Sequence, residues 1–134
     1  MTKSGSTVLV LDDDPSVLVA TSRLLASEGW QVKTFTNPDT FLRHAENLHP
    51  RVAVIDLWMP KMSGLEVQRR LGEFSPATRV IVLTANDDRV VRWKALAAGA
   101  TAFFIKPARD DEFIASIRSA FAANSVRHPN CRTD

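Results

Sequence analysis

The sequence predicts a doubly wound α/β domain in which five βα units build a five-stranded parallel sheet. Two observations predict it. Three short apolar runs are continuous rather than alternating, as strands are when helices cover both faces of a parallel sheet. Between and after these runs lie segments with helical spacing and helix-start signals, so strand and helix alternate five times along 134 residues. That length suits one domain with a core of its own.

Each element has its own justification. The first strand is Val8–Leu11, and Asp14-Pro15 follows as an N-cap with proline at the first helical position. Val17, Thr21 and Leu24 then repeat at helical spacing until Gly29. Gln31–Phe35 is a weaker second strand. Asn37-Pro38 repeats the start signal, with Phe41, Ala45 and Leu48 as the stripe. The third strand is Val52–Ile55, and after Gly64 the residues Val67 and Leu71 mark the third helix. The fourth strand is Val80–Leu83. Val90, Trp93 and Ala97 mark the helix after it, stopped by Gly99, and Trp93 is expected in the core with its stripe. Thr101–Ile105 is a second weaker strand. Asp110, Asp111 and Glu112 open the last helix with acid at its positive end, and Ile114, Ile117 and Phe121 supply its apolar face. Residues 1–124 thus read as one domain and 125–134 as a tail or the start of a linker.

Composition narrows the function classes. Hydrophobic content of 45% and charged content of 24% are those of a globular chain. The net charge is +2, with no Lys/Arg run and no interleaving of basic and aromatic residues, so nucleic-acid binding by this chain alone is not expected. Cys131 is the single cysteine, which excludes an internal disulfide and a CxxC metal site. The four apolar residues after the polar start are too few for a signal peptide or a membrane span, so a cytoplasmic protein without membrane contact is expected. His44 and His49 are badly spaced for a shared metal and are expected in solvent, and His128 lies in the tail.

Sites in open α/β sheets form at the carboxyl ends of strands. Asp12, Asp13 and Asp14 follow the first strand, Asp56 the third, Thr84 the fourth and Lys106-Pro107 the fifth. Right-handed crossovers bring Asp12, Asp13, Asp56, Thr84 and Lys106 to one edge if the strand order is 2-1-3-4-5. Two carboxylates about 4 Å apart repel by about 4 kcal/mol at an effective dielectric of 20, so such a cluster calls for a cation. Oxygen ligands around an open position suit Mg²⁺ (or Mn²⁺). A divalent ion, an ammonium and a hydroxyl around one carboxylate are what phosphoryl transfer needs, and an ionised Asp56 can attack phosphorus directly. Asp14 is read as a helix cap alone.

With VLVLDDDPSV, VIDLWMPKMSG, VIVLTA and AGATAFFIKP in order at strand ends, the sequence resembles a bacterial two-component response-regulator receiver domain over roughly residues 7 to 123. The resemblance implies a flavodoxin-like fold with strand order 2-1-3-4-5. It implies Asp56 as phospho-acceptor, Asp13 as direct metal ligand, Asp12 acting through water, and the backbone carbonyl of Trp58 as a further ligand. Thr84 and Lys106 match the residues that grip the phosphoryl oxygens, and Lys106-Pro107 matches a bond usually cis in the family. Phe103 takes the aromatic switch position, without the hydroxyl that tyrosine would bring. Trp58, two residues beyond Asp56, and Asn86, two beyond Thr84, are expected to tune hydrolysis of the acyl phosphate, and the large indole of Trp58 predicts slow loss of the group. The implied partners are a histidine kinase or a histidine phosphotransfer protein, and an output partner on the face of the fourth helix, fifth strand and fifth helix. Such a chain catalyses only its own phosphorylation and dephosphorylation. One rival is a phosphatase of the haloacid-dehalogenase type, which puts its nucleophile after the first strand as DxDx[TV]; here Pro15-Ser16 follows the acids. The other is the receiver half of a longer DNA-binding regulator.

Overall fold

The computed structural model describes residues 6–125. Five strands alternate with five helices: β1 (Thr7–Leu11), α1 (Pro15–Ser27), β2 (Gln31–Phe35), α2 (Pro38–Leu48), β3 (Val52–Ile55), α3 (Gly64–Phe74), β4 (Arg79–Thr84), α4 (Arg89–Ala97), β5 (Ala102–Ile105) and α5 (Asp110–Ser125). The sheet is parallel throughout, in the order β2-β1-β3-β4-β5. This is the expected architecture. Apart from Ser125 at the end of α5, the expected tail lies outside the described residues, as do Cys131 and His128.

The continuous apolar runs are buried on both sides. One core, with Leu9, Leu11, Ala53, Ile55 and Val82, packs against α2 and α3 through Phe41, Ala45, Val67 and Leu71. The other, with Val8, Val10, Val52, Val54 and Ile81, packs against α1 and α5 through Leu18, Leu25, Phe113 and Ile117. The helix starts also follow the reading. Asp14 caps α1 by accepting from the Ser16 N–H, Asn37 caps α2 by accepting from the Thr40 N–H, and Gly29 and Gly99 leave α1 and α4 at positive φ.

Helix α4 corrects the reading. Val90 is 60% exposed and Trp93 67%, and Ala97 also faces solvent. The face that packs is Ala95, fully buried, with Val91 partly buried beside it. A nine-residue helix with one small buried residue rests on the sheet rather than sinking into it, so the large residues of this segment mark its outer face. Leu48, at the end of the α2 stripe, is likewise exposed. Strand β4 runs one residue further than expected, so Thr84 ends the strand instead of following it.

Gly64 opens α3 in close contact with the end of β3. A Cβ there would lie 2.4 Å from the carbonyl oxygen of Asp56 and 2.6 Å from the Cα of Leu57. The Gly64 N–H donates to the Leu57 carbonyl at 3.0 Å, which ties the start of α3 to the segment that carries Asp56.

Candidate functional site

The ends of β1 and β3 are joined before any side chain is considered. The Asp56 N–H donates to the Leu11 carbonyl at 3.0 Å, and the Asp12 N–H to the Phe35 carbonyl at 3.1 Å. Sheet pairing therefore continues into the first residue after each strand and sets Asp12 beside Asp56. Both are buried, at 2% and 5% exposure, while Asp13 is exposed. Carboxylate oxygens of Asp12, Asp13 and Asp56 all lie within 4.8 Å of one another.

Lys106 reaches this cluster from the end of β5. Its N–H donates to the Thr84 carbonyl at 2.8 Å, and the Lys106-Pro107 bond is cis. Its Nζ donates to Asp12 Oδ2 at 2.7 Å and lies 3.7 Å from Asp56 Oδ2. Asp56 Oδ1 accepts from the Trp58 N–H at 3.2 Å. Burial pushes the Asp12 carboxyl above its ordinary value, and the charge of Asp56 adds to the rise; the Lys106 ammonium and the Asp14 N–H oppose it. Asp14 is held below its ordinary value by the hydroxyl and N–H of Ser16, in keeping with a cap.

A cavity of about 510 Å³ opens over these groups, lined by Asp12, Asp13, Asp14, Asp56, Trp58, Ala85, Asn86, Asp87 and Lys106. Trp58 is 46% exposed at its wall. Thr84 has no exposed surface and lies beneath the cavity; its Oγ1 accepts from the Asn86 N–H at 3.5 Å. Phe103 is half-buried on β5 against the core that packs on α2 and α3. The structure thus brings Asp12, Asp13, Asp56, Trp58, Asn86 and Lys106 to one cavity, sets Thr84 just under it, and leaves Phe103 outside. Sequence reasoning missed Asp87, which lines the wall one residue beyond Asn86, and gave Asp14 only its capping role. Their places in the loops after β4 and β1 were the available signal.

The donor set suits a hard divalent cation. Three carboxylates face one ammonium, which leaves two negative charges to be met, and every side-chain ligand on offer is oxygen.

The sequence matches the family model of the response regulator receiver domain over residues 8–118. The chain belongs to that family. This receiver is 38% identical over 120 residues to the response regulator protein TmoT of Ectopseudomonas mendocina, covering 90% of this chain and 54% of that one. Among solved structures it resembles a CheY-like receiver domain protein from Methanospirillum hungatei JF-1, at a TM-score of 0.85 and 25% identity, with 90% of this chain and 96% of that chain covered. It also resembles a response regulator from Burkholderia pseudomallei that carries a phosphorylated aspartic acid, a calcium ion and citrate. There the TM-score is 0.79 and the identity 25%, over 90% of this chain and 71% of that one. The receiver spans about half the length of the curated relatives it matches. Among its described residues no helix is long and apolar enough to cross a membrane.

Proposed function

We propose that this receiver takes a phosphoryl group onto Asp56 from a histidine kinase or a histidine phosphotransfer protein, in the cytoplasm, and answers with a change of conformation. The observation that carries the reading is the convergence of a buried Asp56, two further carboxylates and Lys106 at the carboxyl edge of the sheet. An Asp56 oxygen bonds to phosphorus as the donor's P–N bond breaks, and the electron pair leaves with the imidazole. The Trp58 N–H occupies Oδ1, so Oδ2, on the Lys106 side, is the oxygen left to attack. The ammonium of Lys106 then binds the transferred group. Thr84 turns up from beneath the cavity to do the same, and Phe103 follows into the space it vacates. Asp13 and Asp56, with Asp12 through water and the Trp58 carbonyl, would hold Mg²⁺ (or Mn²⁺), which supplies positive charge to the phosphoryl oxygens.

The rest of the reading follows from the same site. The chain catalyses only its own phosphorylation and dephosphorylation, with Trp58 and Asn86 tuning the second. Output runs through the face of α4, β5 and α5, where Val90 and Trp93 stand exposed for a partner. A receiver that governs an attached DNA-binding half is the second reading, favoured by the length of the curated relatives that this chain does not cover. Incubated with Mg²⁺ and acetyl phosphate, the protein should gain the mass of one phosphoryl group, and Asp56→Asn should gain none, because an amide is no nucleophile. Equal labelling of Asp56→Asn would put the acceptor elsewhere.

A further inference from the structure

Among the described residues, five cations on this receiver's helices and loops are held by carboxylates. Arg69 pairs with Glu66 and Glu73, Arg70 with Glu66, Arg109 with Asp111, Arg118 with Glu28, and Lys106 with Asp12. Arg92 of α4 makes a different contact. Its guanidinium lies over the ring of Phe103, 5.3 Å from the centroid, and among the described residues no carboxylate is within ion-pair distance of it. Phe103 is half-buried, packs one side against the core, and has no hydroxyl to fix it by a hydrogen bond. The helix above it is weakly rooted, with Ala95 its one fully buried residue and a single side-chain bond, from Gln68 Nε2 to the Ala95 carbonyl, joining it to α3.

We propose that Arg92 is a positioning residue for the switch: its guanidinium caps the Phe103 ring in the resting conformer and sets how readily that ring leaves. The inference rests on the phosphoryl-switch reading above and adds to it a chain-specific brake. A cation over an aromatic face is attracted to the ring's quadrupole. In this conformer that attraction joins α4 to β5, and inward movement of the ring breaks it. An interaction made only in the resting state opposes the switched state by its full strength, and by linkage it also opposes phosphorylation, which favours the switched state. No carboxylate restrains Arg92, so once the ring leaves, its charge joins the exposed Val90–Trp93 face. The brake and the output surface are then one helix.

The test is a cycle of the parent, Arg92→Gln, Phe103→Leu and the double variant, with Arg92→Lys as the conservative control. Arg92→Gln should take phosphate from acetyl phosphate about two- to fivefold faster than the parent, the factor that an exposed cation–π contact supplies. Arg92→Lys, which keeps a cation near the ring, should fall between them. In the Phe103→Leu background, Arg92→Gln should change nothing. An unchanged or slower rate in Arg92→Gln overturns the proposal, as does an equal acceleration with Phe103 absent. The same proteins are read without phosphate by amide exchange across β5 and α4. Arg92→Gln should exchange faster there than the parent, and only when Phe103 is present; equal exchange also overturns the proposal. A parent that takes no phosphate would count against the acceptor reading, while the exchange data would still decide the role of Arg92.

Discussion

Replacing Gly64 by alanine probes the join between α3 and Asp56. The added Cβ would meet the Asp56 carbonyl oxygen at 2.4 Å, the Leu57 Cα at 2.6 Å and the Leu57 Cδ2 at 2.8 Å. Carbon atoms in good contact lie about 3.5–4.0 Å apart, so each approach is short by roughly an ångström. A side-chain tip can swing away, but two of the three atoms are backbone, and moving them moves Asp56. Overpacking of this kind costs about 1–3 kcal/mol. Alanine returns about 0.5–1 kcal/mol by restricting the unfolded chain. The packing cost exceeds that return, and a net loss of about 1–2 kcal/mol is expected. Gly72 is the internal control: it lies in α3 too, and a Cβ there meets nothing within 4 Å. Gly72→Ala should therefore gain up to about 1 kcal/mol, the entropy term alone. Urea unfolding followed by circular dichroism, at one pH and with chelator present, measures both. Phosphate uptake from acetyl phosphate should slow in Gly64→Ala and stay at the parent rate in Gly72→Ala. If Gly64→Ala matched the parent in stability and uptake while Gly72→Ala gained, the close approach would be unimportant and the argument wrong.

Charge crowding gives a second expectation. The buried Asp12 carboxyl lies above its ordinary value of 3.8, so the folded state holds this proton more tightly than the unfolded chain does. Its contribution is fully present below about 3.8 and is lost as pH rises through the raised folded value. Without metal, Asp12→Asn should therefore gain stability on the parent as pH climbs from about 4 towards neutrality, with Lys106 keeping Asp56 as its partner. Thermal melts across that range would show a flat or shrinking difference if the sign were wrong. Trp58 gives the third. Trp58 lines the cavity wall; if its indole keeps water from attacking the acyl phosphate in line, Trp58→Asn should lose phosphate several-fold faster at unchanged Mg²⁺ affinity. A tenfold change needs about 1.4 kcal/mol in the barrier, and equal rates of loss would leave the indole with no part in phosphoryl lifetime.

Much of this site could be read in the sequence because its residues are fixed by where strands stop. Val52–Ile55 is apolar throughout, and the first polar residue after it is the acceptor candidate; the same holds for Val8–Leu11 and Asp12. Backbone pairing then places these residues whatever their neighbours do. Helix α4 departs from its sequence pattern for the opposite reason. Periodicity shows that a helix has an apolar side and not which way that side turns, and Val90 and Trp93 turn outward because so little of α4 is buried. Depth is invisible too. A threonine at a strand end reads the same whether its hydroxyl lines a cavity or lies under one, and Thr84 lies under it. Arg92 and Gly64 matter through contacts with residues 11 and 8 positions away, respectively, which only the folded chain reveals.

Strand order also decides when, during folding, this site comes into being. Neighbouring strands mostly close short stretches of chain: Thr7 meets Gln31, Ala53 meets Val80, and Ile81 meets Ala102. The exception is the pairing of β1 with β3, where Val8 meets Val52 across two helices and another strand. Closing that longer loop costs only about 0.5 kcal/mol more than closing β1 on β2, but it cannot begin until β3 has left the ribosome. Asp12 and Asp56 face each other across that one seam. A nascent chain that has made β1, α1, β2 and α2 holds two of the three cluster carboxylates and lacks Asp56, with one edge of its most buried strand still open. Such an edge invites wrong pairing. With Asp56 as the proposed acceptor, the ability to take up phosphate would also be a certificate of completed assembly, since the last seam to close among the first three strands is the one that sets Asp12 beside Asp56.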